Sequence, residues 1–170
     1  MSVAADARIR AVFAGGEGLR KRALEALDVD AGGAHGDRHY GRNEARALLV
    51  VPRADYDAIL EAGIEVQDGD LGENLVVDGL PSALPAGTRL RVGEVDLEVT
   101  GDCTVCASLS VIDPRLPKLA YRRRGVYVRV RYGGPLRPGD RVRIVGGPAH
   151  PEPVPTRAAG GPPPAAPDAA

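Results

Sequence analysis

Alternating apolar and polar residues predict several short strands in the second half of the chain. The segments Thr88–Val92 and Val95–Val99 alternate along their whole length, and the glycine between them, at position 93, predicts a two-residue hairpin turn. Gly125–Tyr132 alternates in the same way, and Arg141–Val145 follows a Pro-Gly-Asp turn. These segments indicate β-structure that is connected by short turns.

Three apolar segments in the first half of the chain are also predicted to be strands. Ala47–Val51 is apolar at every position, which is typical of a strand that is covered on both faces. Leu75–Val77 and Ile9–Phe13 are shorter candidates. Strand patterns are therefore spread over most of the chain.

Helical patterns are fewer than strand patterns. Pro52–Ala62 begins with proline and acidic residues, ends at a glycine and carries an apolar stripe, so it is predicted to be a helix. Leu19–Leu27 is predicted to be a second helix, and Pro114–Tyr121 a short third. Many strands and few helices predict a mainly β fold, a sandwich or a closed or partly closed β-barrel, with two or three short peripheral helices.

The chain is predicted to have one folded unit and a tail. Its 170 residues are enough for one ordinary domain. Residues 1–31 are expected to supply a strand and a helix that pack on a β-barrel core formed by residues 32–146. Residues 147–170 contain eight of the 15 prolines, mixed with alanine and glycine, so this tail is expected to be disordered.

The composition argues against several functional classes. Aromatic residues make up only 4% of the chain, which argues against a stacking platform for nucleic acid. No stretch approaches the roughly 18 apolar residues of a membrane-spanning helix, and the first residues lack the features of a secretory signal. We therefore expect a cytoplasmic protein that binds neither nucleic acid nor membrane.

Charge is strongly segregated although the net charge is only −1. Residues 52–113 contain 3 Lys or Arg and 13 Asp or Glu, a net charge of −10, whereas residues 114–147 contain 10 against one, a net charge of +9. The two segments could neutralise each other across adjacent strands. Alternatively, part of the basic segment, above all Arg122, Arg123 and Arg124, could line a pocket for an anion such as phosphate.

Two cysteines follow the strand that is predicted at Val95–Val99, and their spacing allows four interpretations. A redox pair formed by Cys103 and Cys106 would need a helix N-terminus, whereas the surroundings indicate β-structure. A zinc site could combine both cysteines with His35 and His39. One cysteine could instead be a nucleophile or a soft-metal ligand, or both could be small buried side chains.

Two polar loops are candidates for the rest of a site. Asp37, Arg38 and His39 lie between two glycines, and we expect them to face solvent or a pocket because burial without partners would be costly. Asn74 lies in a second polar loop, which leads into a predicted strand. Neither loop alone is specific for one chemistry.

Taken in order, these motifs resemble those of the MOSC domain, which is named after the C-terminal part of molybdenum-cofactor sulfurases. The resemblance extends from about Gly32 to Val145, which is nearly the whole folded unit. The segments that carry it are Gly36–Gly41, Gly72–Leu75, Gly87–Gly93, Cys106 with Leu109, Arg124–Tyr127 and Leu136–Asp140.

The resemblance implies a strand-rich barrel that binds the molybdenum cofactor. The single reactive cysteine of the family corresponds to Cys106, which would be the molybdenum ligand because a thiolate suits a soft metal. The implied partners of the pterin phosphate are arginines, namely Arg38, Arg122, Arg123 and Arg124. His39 and Asp37 would lie nearby as proton donor and orienting group, and Asn74 would form a hydrogen bond with the cofactor.

The activity that the resemblance implies is the reduction of N-hydroxylated compounds with the help of an electron-transfer partner. The chain departs from the family in having Val105 where proline is usual and a second thiol at Cys103. A metal-free sulfur carrier is therefore an alternative, in which Cys106 holds a persulfide supplied by a desulfurase and Cys103 releases it as a disulfide. No pyridoxal-phosphate site is expected in this chain. A zinc-binding module without enzymatic activity is the third alternative.

Overall fold

The structure is a computed structural model, and it describes residues 6–15, 18, 20–103, 107–121 and 123–148. These residues form eleven short strands and two α-helices. The strands are β1 (Arg8–Ala14), β2 (Arg22–Leu24), β3 (Leu27–Asp30), β4 (Gly33–Ala34), β5 (Leu48–Pro52), β6 (Leu75–Asp78), β7 (Arg89–Val92), β8 (Val95–Asp102), β9 (Val126–Tyr132), β10 (Gly134–Leu136) and β11 (Arg143–Gly146). The helices are α1 (Arg53–Glu61) and α2 (Leu116–Leu119), and 3₁₀ turns cover Glu44–Arg46 and Ala107–Val111.

Eight strands form a curled sheet that makes half of a barrel, in the order β11-β7-β8-β9-β5-β6-β1-β2. Neighbouring strands are antiparallel except β5 and β6, which are parallel. A parallel pair needs a crossover connection, and α1 lies in that connection. The predicted mainly β fold with a partly closed barrel and few helices is therefore confirmed.

Strand β5 is buried on both of its faces. Leu48 and Val50 belong to the larger apolar core, whereas Leu49 and Val51 belong to a second core that α1 covers with Ile59. All of these side chains are buried. The unbroken apolar pattern of this segment is thus explained by two cores that share one sheet.

A second, three-stranded sheet closes one side of the larger core, in the order β10-β3-β4. Its residues Leu27, Val29 and Leu136 are buried in that core. Leu27 of β3 faces Leu136 of β10 across the pair, although the two residues are far apart in the chain. No local pattern predicts such a pairing, because it is decided by tertiary structure.

The helix predicted over Leu19–Leu27 is wrong for the described residues of that segment. Residues 22–24 form β2, in which Leu24 faces Val12 of β1, and Leu27 begins β3. The helical pattern rested on Leu19, Ala23, Leu24 and Leu27. Leu19 lies outside the described residues, and of the other three only Leu27 is fully buried. Pairing with the edge of β1 therefore outweighs a weak amphipathic stripe. The predicted tail lies outside the described residues from residue 149 onwards.

Two other local predictions are confirmed. The hairpin at Gly93 joins β7 to β8, and Gly93 has a φ of +59°, which glycine adopts without strain. The helices predicted at Pro52–Ala62 and Pro114–Tyr121 are present as α1 and α2, with shorter bounds. Neither helix of the described part is long and apolar enough to cross a membrane.

The oppositely charged segments of the chain meet across neighbouring strands. Oε2 of Glu98 in β8 lies 2.9 Å from Nη1 of Arg131, and Oε1 of Glu98 lies 3.8 Å from Nη1 of Arg129; both arginines are in β9. These contacts confirm the neutralising interpretation for the exposed faces of β8 and β9. Each such pair contributes about 0–1 kcal/mol because water screens it. Arg124, from the same basic segment, lines a cavity instead.

Candidate functional site

A cavity of about 280 Å³ opens beside the start of β5, and we call it the cationic cavity. Its wall comes from the segment before β2, the loop between β4 and β5, the turn before β6, the segment before β9, and parts of β5 and β9. The cationic side chains of the wall are Lys21, Arg38, Arg42, Arg46 and Arg124. The lining residues that the structure describes include no carboxylate, so the cavity has the charge expected of an anion site.

Lys21, which lines the cationic cavity, forms a buried ion pair with Asp37, which is not itself a lining residue. The Nζ atom of Lys21 lies 3.1 Å from each carboxylate oxygen of Asp37, and the two side chains are 3% and 2% exposed. Asp37 also accepts a hydrogen bond from the Gly15 N–H at 3.1 Å. Burial lowers the pKa of Lys21, and the charge of Asp37 opposes this effect. The pair therefore fixes the predicted polar loop to the segment before β2.

His39 lines the cationic cavity as a neutral ring. The Nε atom of Arg38 donates to Nε2 of His39 at 3.0 Å, which leaves the ring proton on Nδ1. Burial, followed by the charges of Lys21 and Arg38, lowers the pKa of His39 below its usual value. Asp37, the predicted orienting group, contacts the backbone N–H of His39 at 3.4 Å, whereas Arg38 orients the ring.

Arg42 and Arg46 stand at the exposed mouth of the cationic cavity. Between them, Asn43 caps the 3₁₀ turn, since its side-chain oxygen accepts from the Ala45 N–H at 3.0 Å. The guanidinium of Arg46 lies over the ring of Tyr127, 5.0 Å from its centroid, in a cation–π contact. The turn thus presents both arginines to the same cavity.

Asn74, which is predicted to contact a cofactor, lies in the cavity wall and is 2% exposed. Its Oδ1 accepts from the Leu49 N–H at 3.1 Å, and its Nδ2 donates to the Phe13 carbonyl at 3.1 Å. The side chain therefore joins β5 to β1 across the start of β6. This is a structural role, and contact with a cofactor through its remaining N–H stays a prediction.

Arg124 is the most buried arginine of the cavity wall, at 6% exposed. Its Nε and Nη2 donate to the Leu71 carbonyl at 3.2 and 2.8 Å. The next residue, Gly125, has a φ of +80°, and a Cβ there would lie 2.2 Å from the Val50 carbonyl oxygen. Its N–H donates to Asp55 at 3.1 Å. Only glycine allows this close approach to β5, which places Arg124 against the cavity.

Glu73 lies fully buried between Gly72 and Asn74, two residues of the cavity wall. Its Oε1 accepts from the Tyr56 hydroxyl at 2.5 Å and from the Gly69 N–H. Its Oε2 has no hydrogen-bond partner among the described residues. Desolvation raises the pKa of Glu73 to about 7. The carboxyl group therefore anchors the turn before β6 in a protonation state that changes near neutral pH.

Cys103 follows β8 directly and is 2% exposed in the core that α1 covers. Its side chain forms a hydrogen bond with Tyr127 of the cavity wall, and its N–H donates to the Gly125 carbonyl at 3.0 Å. Cys106 lies outside the described residues, in the segment between Cys103 and Ala107. Cys103, the last described residue before that segment, therefore contacts the wall of the cationic cavity.

The two described members of the predicted arginine triplet line different cavities. Arg122 lies outside the described residues. Arg123 lines a second cavity, whose wall includes Ile64 and Leu119, whereas Arg124 lines the cationic cavity. Two successive side chains thus face different cavities, which the basic run in the sequence does not reveal.

The predicted zinc ligands lie in separate surroundings. His35 forms a hydrogen bond with Asp30 at 2.6 Å, His39 lines the cationic cavity, and Cys103 lies in a core. Within the part of the chain that the structure describes, no group of three or more His, Cys, Asp or Glu side chains is arranged to hold a metal ion. The fourth predicted ligand, Cys106, lies outside that part.

Several lining residues are absent from the sequence-based predictions, namely Lys21, Arg42, Arg46 and Tyr127. Lys21 falls in the segment where a helix was wrongly expected. The arginines follow Arg38 at a regular spacing of four residues, and this spacing is the signal that could have identified them. Tyr127 belongs to a clear strand pattern, from which its exposure to a cavity does not follow.

Several solved structures share the fold. The YuaD protein from Bacillus subtilis has a TM-score of 0.72 and 20% identity, over 81% of this chain and 94% of that chain. YiiM from Geobacillus stearothermophilus has a TM-score of 0.67 and 21% identity, over 82% and 75%. YiiM from Escherichia coli has a TM-score of 0.63 and 23% identity, over 82% and 70%. At these identities the similarity shows the fold alone.

A search among curated proteins finds no match to this chain. A sequence model of one family, described as the MOSC domain, matches residues 35–143, which is 109 of the 170 residues. The matched region contains every described residue of the cationic cavity except Lys21. The predicted resemblance is thereby confirmed, and the chain belongs to the MOSC domain family.

Proposed function

We propose that the cationic cavity binds the molybdenum cofactor by its phosphorylated pterin, with Cys106 as the thiolate ligand of molybdenum. The observation that carries this proposal is a concave wall with five cationic side chains and no carboxylate among its described residues. Arginine and lysine bind phosphate by charge-assisted hydrogen bonds, so such a wall suits a phosphate group. Membership of the MOSC family supports the choice of this cofactor.

The residues of the inner wall fit the phosphate. Arg38 has its Nε bonded to His39 and its Nη1 bonded to the Gly18 carbonyl, which fixes the guanidinium and leaves Nη2 for a ligand. Arg124 contributes positive charge from the buried side of the cavity, and Lys21 contributes N–H donors, because Asp37 balances its charge. An anion held in this way is shielded from water on one side, which strengthens each contact.

The proposed reaction is the reduction of an N-hydroxylated compound. When bound, the cofactor would supply a metal centre that exchanges electron pairs. The N–O bond breaks, two electrons from an external electron-transfer protein and two protons are consumed, and the amine and water are formed. His39 lines the cavity, and the Nδ1–H of its neutral ring would donate to the departing oxygen.

The proposal is tested by the molybdenum and pterin content of the full chain, purified from a host that makes the cofactor. We expect close to one of each per chain in the wild type, loss of molybdenum in Cys106→Ser, and loss of both in Arg124→Gln. Arg22→Gln, an exposed arginine outside the described lining, is the matched control and should keep both. A folded wild type with neither component would contradict the proposal.

A metal-free sulfur carrier is the competing proposal, and the position of Cys103 bears on it. The Cys103 side chain is bonded to Tyr127 and 2% exposed, so its use as a resolving thiol requires local opening after β8. Mass spectrometry after incubation with a desulfurase separates the two functions. A persulfide adds about 32 Da, and such an adduct on Cys106 that is released only when Cys103 is present would favour the carrier.

The predicted zinc site is tested by the zinc content of the purified chain. Equal zinc content in the wild type and Cys103→Ala would contradict a site with four protein ligands.

A further inference from the structure

Four of the five cations of the cavity fall into two groups that differ in burial, and the fifth, Arg38, is half-buried, between the two groups in exposure. The inner group is Lys21 and Arg124, each 6% exposed, and both have close protein partners, the Asp37 carboxylate and the Leu71 carbonyl. The outer group, which we call the rim pair, is Arg42 and Arg46, and both are exposed. The inner group is therefore held by polar protein partners, whereas the rim pair is exposed to solvent.

No carboxylate of the described residues forms an ion pair with the rim pair. Neither Arg42 nor Arg46 lies within 4 Å of a carboxylate oxygen in that part of the chain, although Glu44 belongs to the adjacent 3₁₀ turn. The ring of Tyr127 holds the Arg46 guanidinium in place, and the side-chain cap by Asn43 orders the turn. Two like charges held at one mouth repel each other, and a bound anion would remove that repulsion.

Arginine at such a position selects for particular chemistry. Its planar fork matches the oxygen pair of a carboxylate or the oxygens of a phosphate. Because the pair is exposed, a ligand that enters the cavity from solvent can reach it, whereas Lys21 and Arg124 are buried. Under the proposed function the inner cations are assigned to the cofactor phosphate, so the rim pair has charge left for a second anion.

We propose that Arg42 and Arg46 form an anion subsite for the substrate, and that the preferred substrates are N-hydroxylated compounds which carry a carboxylate or phosphate group. This inference rests on the proposed function for the reaction itself. The anion subsite, however, is a property of the chain without cofactor and can be measured separately. Substrates without a negative charge would be reduced, but less efficiently.

Steady-state kinetics of the loaded full chain provide the first test. The probes are N-hydroxybenzamidine and its 4-carboxy and 4-phosphono derivatives, which share the reacting group and differ in charge. We expect kcat/KM to be about tenfold higher for the charged probes, through KM, because hydrogen bonds to charged groups contribute this much. Arg42→Gln and Arg46→Gln should remove the preference when each rate is divided by the molybdenum content of the variant. Arg46→Lys should keep part of it.

The same kinetics can overturn the inference. A preference for the neutral probe in the wild type, or an unchanged preference in the double variant Arg42→Gln/Arg46→Gln, would refute it. A preference for only one of the two charged probes identifies which oxyanion the subsite accepts. The control Arg22→Gln should behave as the wild type, because this exposed arginine lies outside the described lining.

Titration of the cofactor-free chain with inorganic phosphate at low ionic strength keeps the two proposals distinguishable. We expect two bound phosphates per wild-type chain, one at the inner group and one at the rim pair, and one in Arg42→Gln/Arg46→Gln. If the chain reduces none of the probes, the proposed function fails, and this stoichiometry still decides on the subsite. Equal numbers of bound phosphates in the wild type and the double variant would overturn the proposal that the rim pair binds an anion.

Discussion

Glu73 should make the folded state less stable as the pH rises towards neutrality. Its pKa is raised from 4.5 to about 7, chiefly because burial disfavours the charged carboxylate. Between these two pH values the folded chain retains a proton that the unfolded chain has lost. The contribution of Glu73 to stability is therefore fully present below about pH 4.5 and is lost as the pH rises through about 7.

The size of this effect follows from the two pKa values. The difference between 4.5 and about 7 corresponds to about 3 kcal/mol in the free energy of unfolding. Because the side chain is 0% exposed, solvent does not screen the effect. His39 acts in the opposite direction, since its pKa is lowered and its contribution is lost as the pH falls.

Glu73→Gln isolates the effect. Glutamine keeps an acceptor oxygen for the Tyr56 hydroxyl and the Gly69 N–H but does not titrate, and His39 is the same in both proteins. Urea denaturation at pH 5, 6, 7 and 8 should show that the wild type loses about 2.5 kcal/mol relative to the variant over this range. Glu61→Gln, at the exposed end of α1, is the control and should follow the wild type. If the free energy of unfolding changes with pH in the same way in the wild type and in Glu73→Gln, the carboxyl group of Glu73 is not buried in its protonated form.

Three further substitutions test the frame of the site, each by urea denaturation. Asn74→Ala should cost about 2–3 kcal/mol because it leaves two buried backbone groups without partners, and a loss below 1 kcal/mol would argue against the bridge. Gly125→Ala should cost more than about 4 kcal/mol or prevent folding, whereas Gly139→Ala, at φ +92° with nothing within 4 Å, should cost about 1 kcal/mol. Lys21→Met should cost about 3–5 kcal/mol, and adding Asp37→Leu should restore part of this loss. No restoration in the double variant would mean that the pair is not coupled.

The strands of the large sheet other than β2 were predictable because each carries its own pattern. The segments around Leu90 and Leu97 alternate, and the run from Leu48 to Val51 is apolar throughout, so the period of each sequence matches its burial. The three-stranded sheet was not predictable. Its strands are short, and Leu27 finds its partner only in the distant β10.

The cationic cavity was predictable only in part, for a related reason. Arg38, His39 and Asn74 stand out because glycines and polar residues surround them in loops. Lys21 and Asp37 become a pair only when β2 lies on β1, and no pattern within either segment encodes that contact. Loops brought together from different strands share a cavity that no single stretch of sequence describes.

Under the proposed function, the cationic cavity holds the molybdenum cofactor, with Cys106 as the thiolate ligand of the metal. Anomalous diffraction at the molybdenum absorption edge, from crystals of the cofactor-loaded chain, locates the metal directly. We expect one peak inside the cavity lined by Lys21, Arg38 and Arg124, and its loss in Cys106→Ser. A peak in the cavity beside Arg123, or on the outer surface, would contradict the claim.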